Sequence, residues 1–395
     1  MYDLASVRAQ LPTLRSFTYL NTGTLGIMAE PVLARYREAV ERAQRFGHLV
    51  LEEFQEASER VRVEFAELLG VRSEELAFTG NTTDGIALVL ASFPFAAGDR
   101  ILTSDQEHPA VLLPLTLACR RRGVVLEQFR VSTEKEETRE AFAAALVRTR
   151  PRLVVVSHVS CETGVRLPIE DMTRLAHAEG ARVLLDTAQS IGQFPVNLAT
   201  LGVDFAAGNG HKWLHGPQGT GFLYVRQDNL DLLEPPLVGD GSVVTPFDRH
   251  SFQFDGTNWS FRGDARRFEY GTRDVARVIG LGAAIEYLGS LGWEAIARHQ
   301  LRLVAWLRER LQHHPAICWY SATRAEDGSG LVTLGVTGWD GERLSRVLWE
   351  AYRIVQRRVQ VPNGVRVSCA YFTSEDDLDR LVAALEELAG YHQLS

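Results

Sequence analysis

The sequence predicts an α/β protein in which a mostly parallel sheet lies between helices, followed by a smaller α+β domain. Three observations carry that prediction. Short apolar runs alternate with helical stretches from LAFT (76–79) through ARVLLD (181–186). Those runs are continuously apolar rather than alternating, as expected of parallel strands covered on both faces. Beyond Asp274 the rhythm changes to two amphipathic helices, short strands and a last helix. The expected boundaries are 16–275 for the large domain and 276–395 for the small one, which the N-terminal segment 1–15 joins.

The elements follow in order. From about Val32 to Leu69 apolar residues recur at three- and four-residue spacing among charges, which predicts a long helix. LAFT is a short strand, and GNTTDGIALVLASF is a turn opening a helix whose first turn holds Asn81, Thr82, Thr83 and Asp84. RILTS (100–104) is a strand, and HPAVLLPLTLACRRRG is a helix ending near Gly123. VVLEQFRV is a strand, and the charged stretch 133–148 is a helix. RLVVVSHVS, IEDMTRLAHAEG and ARVLLDTAQS add strand, helix and strand. Residues 235–267, rich in Gly, Asp and aromatics, form an irregular excursion at a site, at a subunit interface or simply on the surface. GLVTLGVT and GVRVSCAY are strands of the smaller domain, and EDDLDRLVAALEELAG closes the chain as a helix.

Composition limits the function classes. The chain has 395 residues, 45% apolar and 23% charged, with a formal net charge of −8. That profile supplies a sizeable core and argues against a general nucleic-acid binder. Cys119, Cys161, Cys318 and Cys369 are scattered without a CxxC pair, so neither a disulfide framework nor a metal site is expected. No apolar run is long enough to span a membrane and no leader pattern opens the chain, which makes the cytoplasm the expected location.

A few residues invite chemistry. Lys212 stands within NGHKWLHGPQGTG, where an amine surrounded by glycines, histidines and a tryptophan is either catalytic or the exposed tip of a tight turn. Asp186 closes an apolar strand, where a carboxylate needs a cation or strong donors, unless it simply caps a helix. A protonated ring nitrogen, a metal or an arginine would serve. Gln189 follows on the same turn and could donate to a ligand oxygen. Thr82 and Thr83 sit at a helix N-terminus, where free N–H groups favour phosphate and capping residues are also common. His108, before Pro109, is either a flat lid against a ring or a packed histidine, and His211 stands beside Lys212 to help hold phosphate. Arg366 alternates with Val365 and Val367, so a strand would fix it on one face, as a carboxylate receptor or a solvent-facing side chain.

Taken together and in order, TGNTTDGI (79–86), EHPAV (107–111), HVSCETG (158–164), LLDTAQSIGQFPVN (184–197), HKWLHGPQGTGFLYV (211–225), FEYGT (268–272) and VRVSCAYFTSEDDLDRL (365–381) resemble the class V aminotransferase and cysteine desulfurase superfamily over nearly the whole chain. These are pyridoxal 5′-phosphate (PLP) enzymes of fold type I. The resemblance implies a seven-stranded sheet in the large domain and a homodimer with shared active sites. It makes Lys212 the Schiff-base lysine, Asp186 the partner of the pyridine nitrogen, Gln189 a donor to the ring oxygen and His108 the residue stacked on the ring. Thr82, Thr83 and His211 would hold the phosphate, and Thr272 would reach the phosphate of the neighbouring subunit. Arg366 would take the substrate carboxylate.

Two departures bear on the reaction. SCETG puts Cys161 and Glu162 where many members have an asparagine. Cysteine desulfurases carry a nucleophilic cysteine on a loop before the carboxylate-binding arginine, whereas no cysteine lies between Cys318 and Cys369 here. The tail and the GHKW segment are similar to cystine/cysteine C–S lyases, in which Arg357 joins Arg366. That likeness implies β-elimination from cystine, cysteine or a cysteine S-conjugate or sulfoxide. An aminotransferase, an isopenicillin N epimerase-like activity and, less readily, a desulfurase remain alternatives, with a non-enzymatic scaffold the outlier.

Overall fold

A computed structural model describes residues 2–244 and 260–391. The central part of the 235–267 excursion therefore lies outside the described residues. The first strand in chain order is the two-residue β1 (Thr18–Tyr19), after a short helix Leu4–Ala9. The large sheet follows as β2 (Leu76–Thr79), β3 (Arg100–Ser104), β4 (Val125–Phe129), β5 (Leu153–Ser157), β6 (Arg182–Asp186), β7 (Phe205–Asn209) and β8 (Gly221–Val225). The smaller part contributes β9 (Ile317–Trp319), β10 (Leu331–Val336), β11 (Ile354–Val355), β12 (Arg357–Val359) and β13 (Gly364–Ser368).

The large sheet has seven strands in the order β2-β8-β7-β6-β5-β3-β4. Only β8 runs against its neighbours, pairing antiparallel with β2 and β7. Strands β5, β6 and β7 are buried along most of their length, which accounts for their unbroken apolar sequences. One core packs each face, one around Phe65, Val154, Leu185 and Phe222, the other around Ile86, Val155, Leu184 and Phe205.

Two local expectations need correction. The helical stretch 32–69 is two helices, Glu30–Phe46 and Leu51–Leu69. Gly47 breaks it with φ +51°, a conformation that other residues adopt only under strain. Residues 187–190 form a turn and not a helix, and the Asp186 carboxylate accepts from the Ala188 N–H at 2.7 Å. Gln189 therefore takes its direction from that turn.

The smaller part is a four-stranded antiparallel sheet, β12-β13-β10-β9. Helices Trp293–Leu311, Gly341–Glu350 and Glu375–Tyr391 share its core, where Val365 and Val367 meet Leu303, Leu344 and Leu381. The helix Gly341–Glu350 and strands β9 and β12 were not anticipated from the sequence. Helix Val275–Leu291, just past the expected boundary, packs on Glu30–Phe46 and Leu51–Leu69 and places Leu281, Ala284 and Leu288 in the large-sheet core.

The N-terminal segment ties the two sheets together. Val7 and Leu11 join the large core, while Arg8 pairs with Asp377 at 2.6 Å and β1 pairs with β11. Among the described residues no single helix is long and apolar enough to cross a membrane.

One buried ion cluster fixes the loop that carries Thr272. Glu269 accepts from Arg62 at 2.7 Å, from the Phe78 N–H at 2.5 Å and from Arg273. Removing one member of a buried pair leaves an uncompensated charge. Arg62→Ala should destabilise the protein by about 3–5 kcal/mol. A urea midpoint indistinguishable from that of the unsubstituted protein would remove this cluster from the list of structural supports.

Candidate active site

The candidate site lies at the carboxyl ends of the parallel strands, where such sheets bind ligands. Each chemical group reaches it from a different strand. Strand β6 ends in Asp186, and β7 ends in Asn209 three residues before Lys212. Strand β3 leads into Glu107 and His108, and β2 leads into helix Thr82–Ser92.

Lys212 is partly buried in the turn after β7, its backbone N–H donating to Asn209 Oδ1 at 3.2 Å. Burial, the largest cause, pulls its amine down to about 8. Asp186 opposes that shift, while Arg366 and Arg357 add to it. Asp186 itself is buried, and burial raises its carboxyl above the ordinary range against the pull of Ala188, Lys212 and Ser157. A site with this pair exchanges protons more readily than free side chains would.

His108 caps helix Pro109–Arg122, with Nδ1 accepting the Ala110 N–H at 3.0 Å. In the neutral ring the hydrogen is therefore on Nε2. Burial, with Lys212, Arg357 and Arg366 adding to it, lowers His108 to about 4, so it presents an uncharged flat ring at neutral pH. His211 is also lowered to about 4, chiefly by burial, and its Nδ1 is buried without a protein partner.

Asn81 Oδ1 caps the Asp84 N–H at 2.9 Å. The N–H groups of Thr82 and Thr83 have no acceptor within the helix, as at any helix N-terminus. Thr82 Oγ1 is buried and accepts from Asn209 Nδ2 at 3.0 Å, which leaves its own hydrogen to donate; Thr83 is exposed. Gln189 donates to the Gly23 carbonyl at 2.8 Å and accepts from Trp213 Nε1 at 2.8 Å. One amide hydrogen remains to it for another acceptor.

From the smaller sheet come Arg357 and Arg366, register partners on β12 and β13. Arg366 has no exposed surface. It donates to the Cys161 carbonyl at 2.6 Å and to Thr24 Oγ1 at 3.2 Å, and its Nε is buried without a partner. Burial and the neighbouring Arg357 lower it to about 10. A buried guanidinium beside a second one, with an idle donor, has the charge and free hydrogen to accept a carboxylate as a partner. Cys161 is buried, and burial pushes its thiol up to about 12.

Thr272 stands apart from this group. It is exposed and lines a surface cavity with Gly80, Asp84, Leu237 and Tyr270.

Four contributors escaped the sequence reading: Glu107, Asn209, Trp213 and the segment 21–26. Gly26 N–H donates to the His211 carbonyl at 2.7 Å, and Gly23 N–H donates to Ser368 Oγ at 3.0 Å. A Cβ on Gly26 would lie 2.2 Å from the Lys212 carbonyl, so only glycine lets this segment cross the Lys212 turn. The NTGTLG run was visible in the sequence, but its crossing was not.

These residues fit PLP. Lys212 supplies an amine, Asp186 an anion at a strand end, and His108 a flat neutral ring. The helix N-terminus with Thr82, and the idle His211 Nδ1, offer donors to a phosphate.

The comparisons agree with this chemistry. The aminotransferase class-V family model matches residues 28–381. A relative from Mycobacterium leprae named probable cysteine desulfurase 2 is 31% identical over 97% of this chain and 96% of its own. The structure of an apo cysteine desulfurase from Thermococcus onnurineus superposes with a TM-score of 0.88 at 28% identity, covering 99% of each chain. The cystine C–S lyase C-DES, in complex with its product cysteine persulfide, superposes with a TM-score of 0.87 at 28% identity over 95% of this chain and 99% of that one. In a variant of C-DES, at TM-score 0.88, 29% identity and coverage of 98% and 99%, glycine is covalently linked to the PLP cofactor.

Lys212→Ala should leave a folded protein that no longer bonds PLP. Borohydride treatment followed by mass spectrometry should fix one pyridoxyl group on the unsubstituted chain and none on the variant. Equal labelling of both would remove Lys212 from its role.

Proposed function

This chain belongs to the aminotransferase class-V family, and on that premise we propose that it is a PLP-dependent C–S lyase. It would eliminate sulfur from the β-carbon of cystine, cysteine or a cysteine S-conjugate or sulfoxide. The observation that carries this reading is a cationic, thiolate-poor site. Arg357 and Arg366 offer a doubly charged seat for an amino-acid carboxylate, yet no reactive thiol stands beside it.

PLP, when bound, supplies an electron sink for negative charge formed at the substrate Cα. Everything else falls to this chain's side chains. Arg366 and Arg357 hold the carboxylate and so orient the Cα hydrogen. Lys212, lowered to about 8 by burial, has a deprotonated fraction at neutral pH and takes that hydrogen as a general base. Asp186 would hold the ring nitrogen of PLP in its protonated form, and the uncharged His108 would lie against the ring. The β-carbon–sulfur bond then breaks with its electron pair leaving on sulfur, and water hydrolyses the remaining three-carbon unit to pyruvate and ammonia.

Desulfurases, named among the relatives, fit this site less well. Capture of sulfur by the protein needs an accessible thiolate. The connection from β12 to β13 is only Gln360, Val361, Pro362 and Asn363, with no cysteine and no room for a long loop. Cys369, on the far side of Arg366, is fully buried and pushed up to about 12 by that burial.

The test is a product screen over cystine, cysteine, S-conjugates, alanine and serine, with and without 2-oxo acids. Pyruvate, ammonia and a sulfur product should appear with no oxo-acid requirement. Stoichiometric amino transfer to an oxo acid would establish an aminotransferase instead, and inversion at Cα without cleavage an epimerase. Loss of sulfur release in Cys161→Ala or Cys369→Ala, with cofactor binding kept, would overturn the thiol-independent chemistry.

The same reading includes a homodimer with shared sites. It is supported by exposed apolar side chains, Leu237, Val238, Val244 and Tyr270, around the loop that holds Thr272. Sedimentation at micromolar protein should give a dimer. A fully active monomer would rule the shared site out.

A further inference from the structure

Glu107 is a buried carboxylate to which none of the roles above has been given. It lies between β3 and His108, and no cation is among the groups that act on it. Its Oε1 accepts from the Ser104 hydroxyl at 2.6 Å and from the Ser157 N–H at 3.0 Å. Its Oε2 is 2.6 Å from Ser157 Oγ. Ser157 is the register neighbour of Asp186 on β6, and its own strand β5 lies between β6 and β3, so it stands between the two carboxylates. Three adjacent strands thus place two buried carboxylates on either side of one hydroxyl.

A hydroxyl has a single hydrogen to donate. Ser157 cannot satisfy both carboxylates, and two ionised carboxylates flanking one residue repel each other in a buried site. One added proton resolves the conflict. Both donors to Glu107 Oε1 are already in place, so the proton belongs on Oε2, facing Ser157 Oγ. On Asp186 it would remove the charge that a cationic ring nitrogen needs.

We infer that Glu107 carries this proton and donates it to Ser157 Oγ, which turns the Ser157 hydroxyl onto Asp186 and keeps Asp186 ionised toward the cofactor ring. Glu107 acts through Ser157 and touches neither substrate nor cofactor, so it is a positioning residue. Its electrostatics agree: burial raises Glu107 to about 7, and the charge of Asp186 adds to the rise. The groups that bear on the pair are Ser104 on β3, Ser157 on β5, Ala188 N–H after β6 and Lys212 after β7. The inference rests on Asp186 being the partner of the PLP ring nitrogen.

Two measurements test it. Infrared spectra of the apoprotein in mildly acidic buffer should show a buried carboxylic-acid carbonyl band that fades as the pH is raised and that Glu107→Gln removes. In the PLP-loaded protein, Ser157→Ala should make the cofactor absorption titrate with pH where the unsubstituted protein does not. Because a hydrogen bond to a charged group is at stake, Ser157→Ala and Glu107→Ala should each lose about 10- to 100-fold in turnover. Glu107→Gln, which can still donate to Ser157 Oγ, should recover most of that loss. Should the Glu107 variants fail to fold, the band in the unsubstituted apoprotein still decides: its absence overturns the proposal. So does a Ser157→Ala cofactor spectrum with the pH response of the unsubstituted protein. Failure of the unsubstituted apoprotein to take up PLP would bring down the underlying reading as well. Uptake with Glu107 ionised throughout would overturn this inference alone.

Discussion

Arg366 sits inside the protein with no exposed surface, and much of the surrounding structure follows from holding it there. A guanidinium removed from water needs acceptors for its hydrogens, because it keeps its charge and burying it unpaired is costly. Cys161 supplies a carbonyl and Thr24 a hydroxyl, one from the turn after β5 and one from the segment 21–26. The cation therefore joins three stretches distant in sequence. What these acceptors lack is negative charge. Arg357 across the ladder deepens that deficit, so the pocket favours an anionic ligand over water.

The opposite wall shows the complementary arrangement. Asp186, Glu107 and Ser157 place negative charge and shared protons at the ends of β6, β3 and β5. Lys212 lies between the two walls and responds to both, with Asp186 raising its affinity for a proton and the arginines lowering it. An amine near its point of neutrality at ordinary pH is the outcome, which suits a group that must take up and give back a proton. His108 and His211 are held neutral by the same burial, so neither competes for that proton.

Much of this was legible in local sequence. Asp186 ends an unbroken apolar strand, Lys212 lies in a glycine-rich turn, and Thr82 opens a helix; each is a pattern within a few residues. The long helix from Val32 was misjudged because Gly47 interrupts a pattern that keeps its period on both sides, and composition does not reveal a positive φ. Glu107 passed unnoticed because a carboxylate before a histidine has no local signature. Its meaning arises only when β3, β5 and β6 lie side by side.

The sequence by itself determined the alternation of strand and helix, the two-part organisation and the chemical types gathered in the order of motifs, since these depend on apolar period and turn residues. Tertiary structure alone decided which groups face each other. It set Arg357 opposite Arg366, ran Gly26 across the Lys212 turn and Gly23 against Ser368, and placed one serine between two carboxylates. The physical reason is that burial and pairing fix the charge of an ionisable group. Both depend on neighbours brought from strands tens of residues away, whose register no local pattern contains.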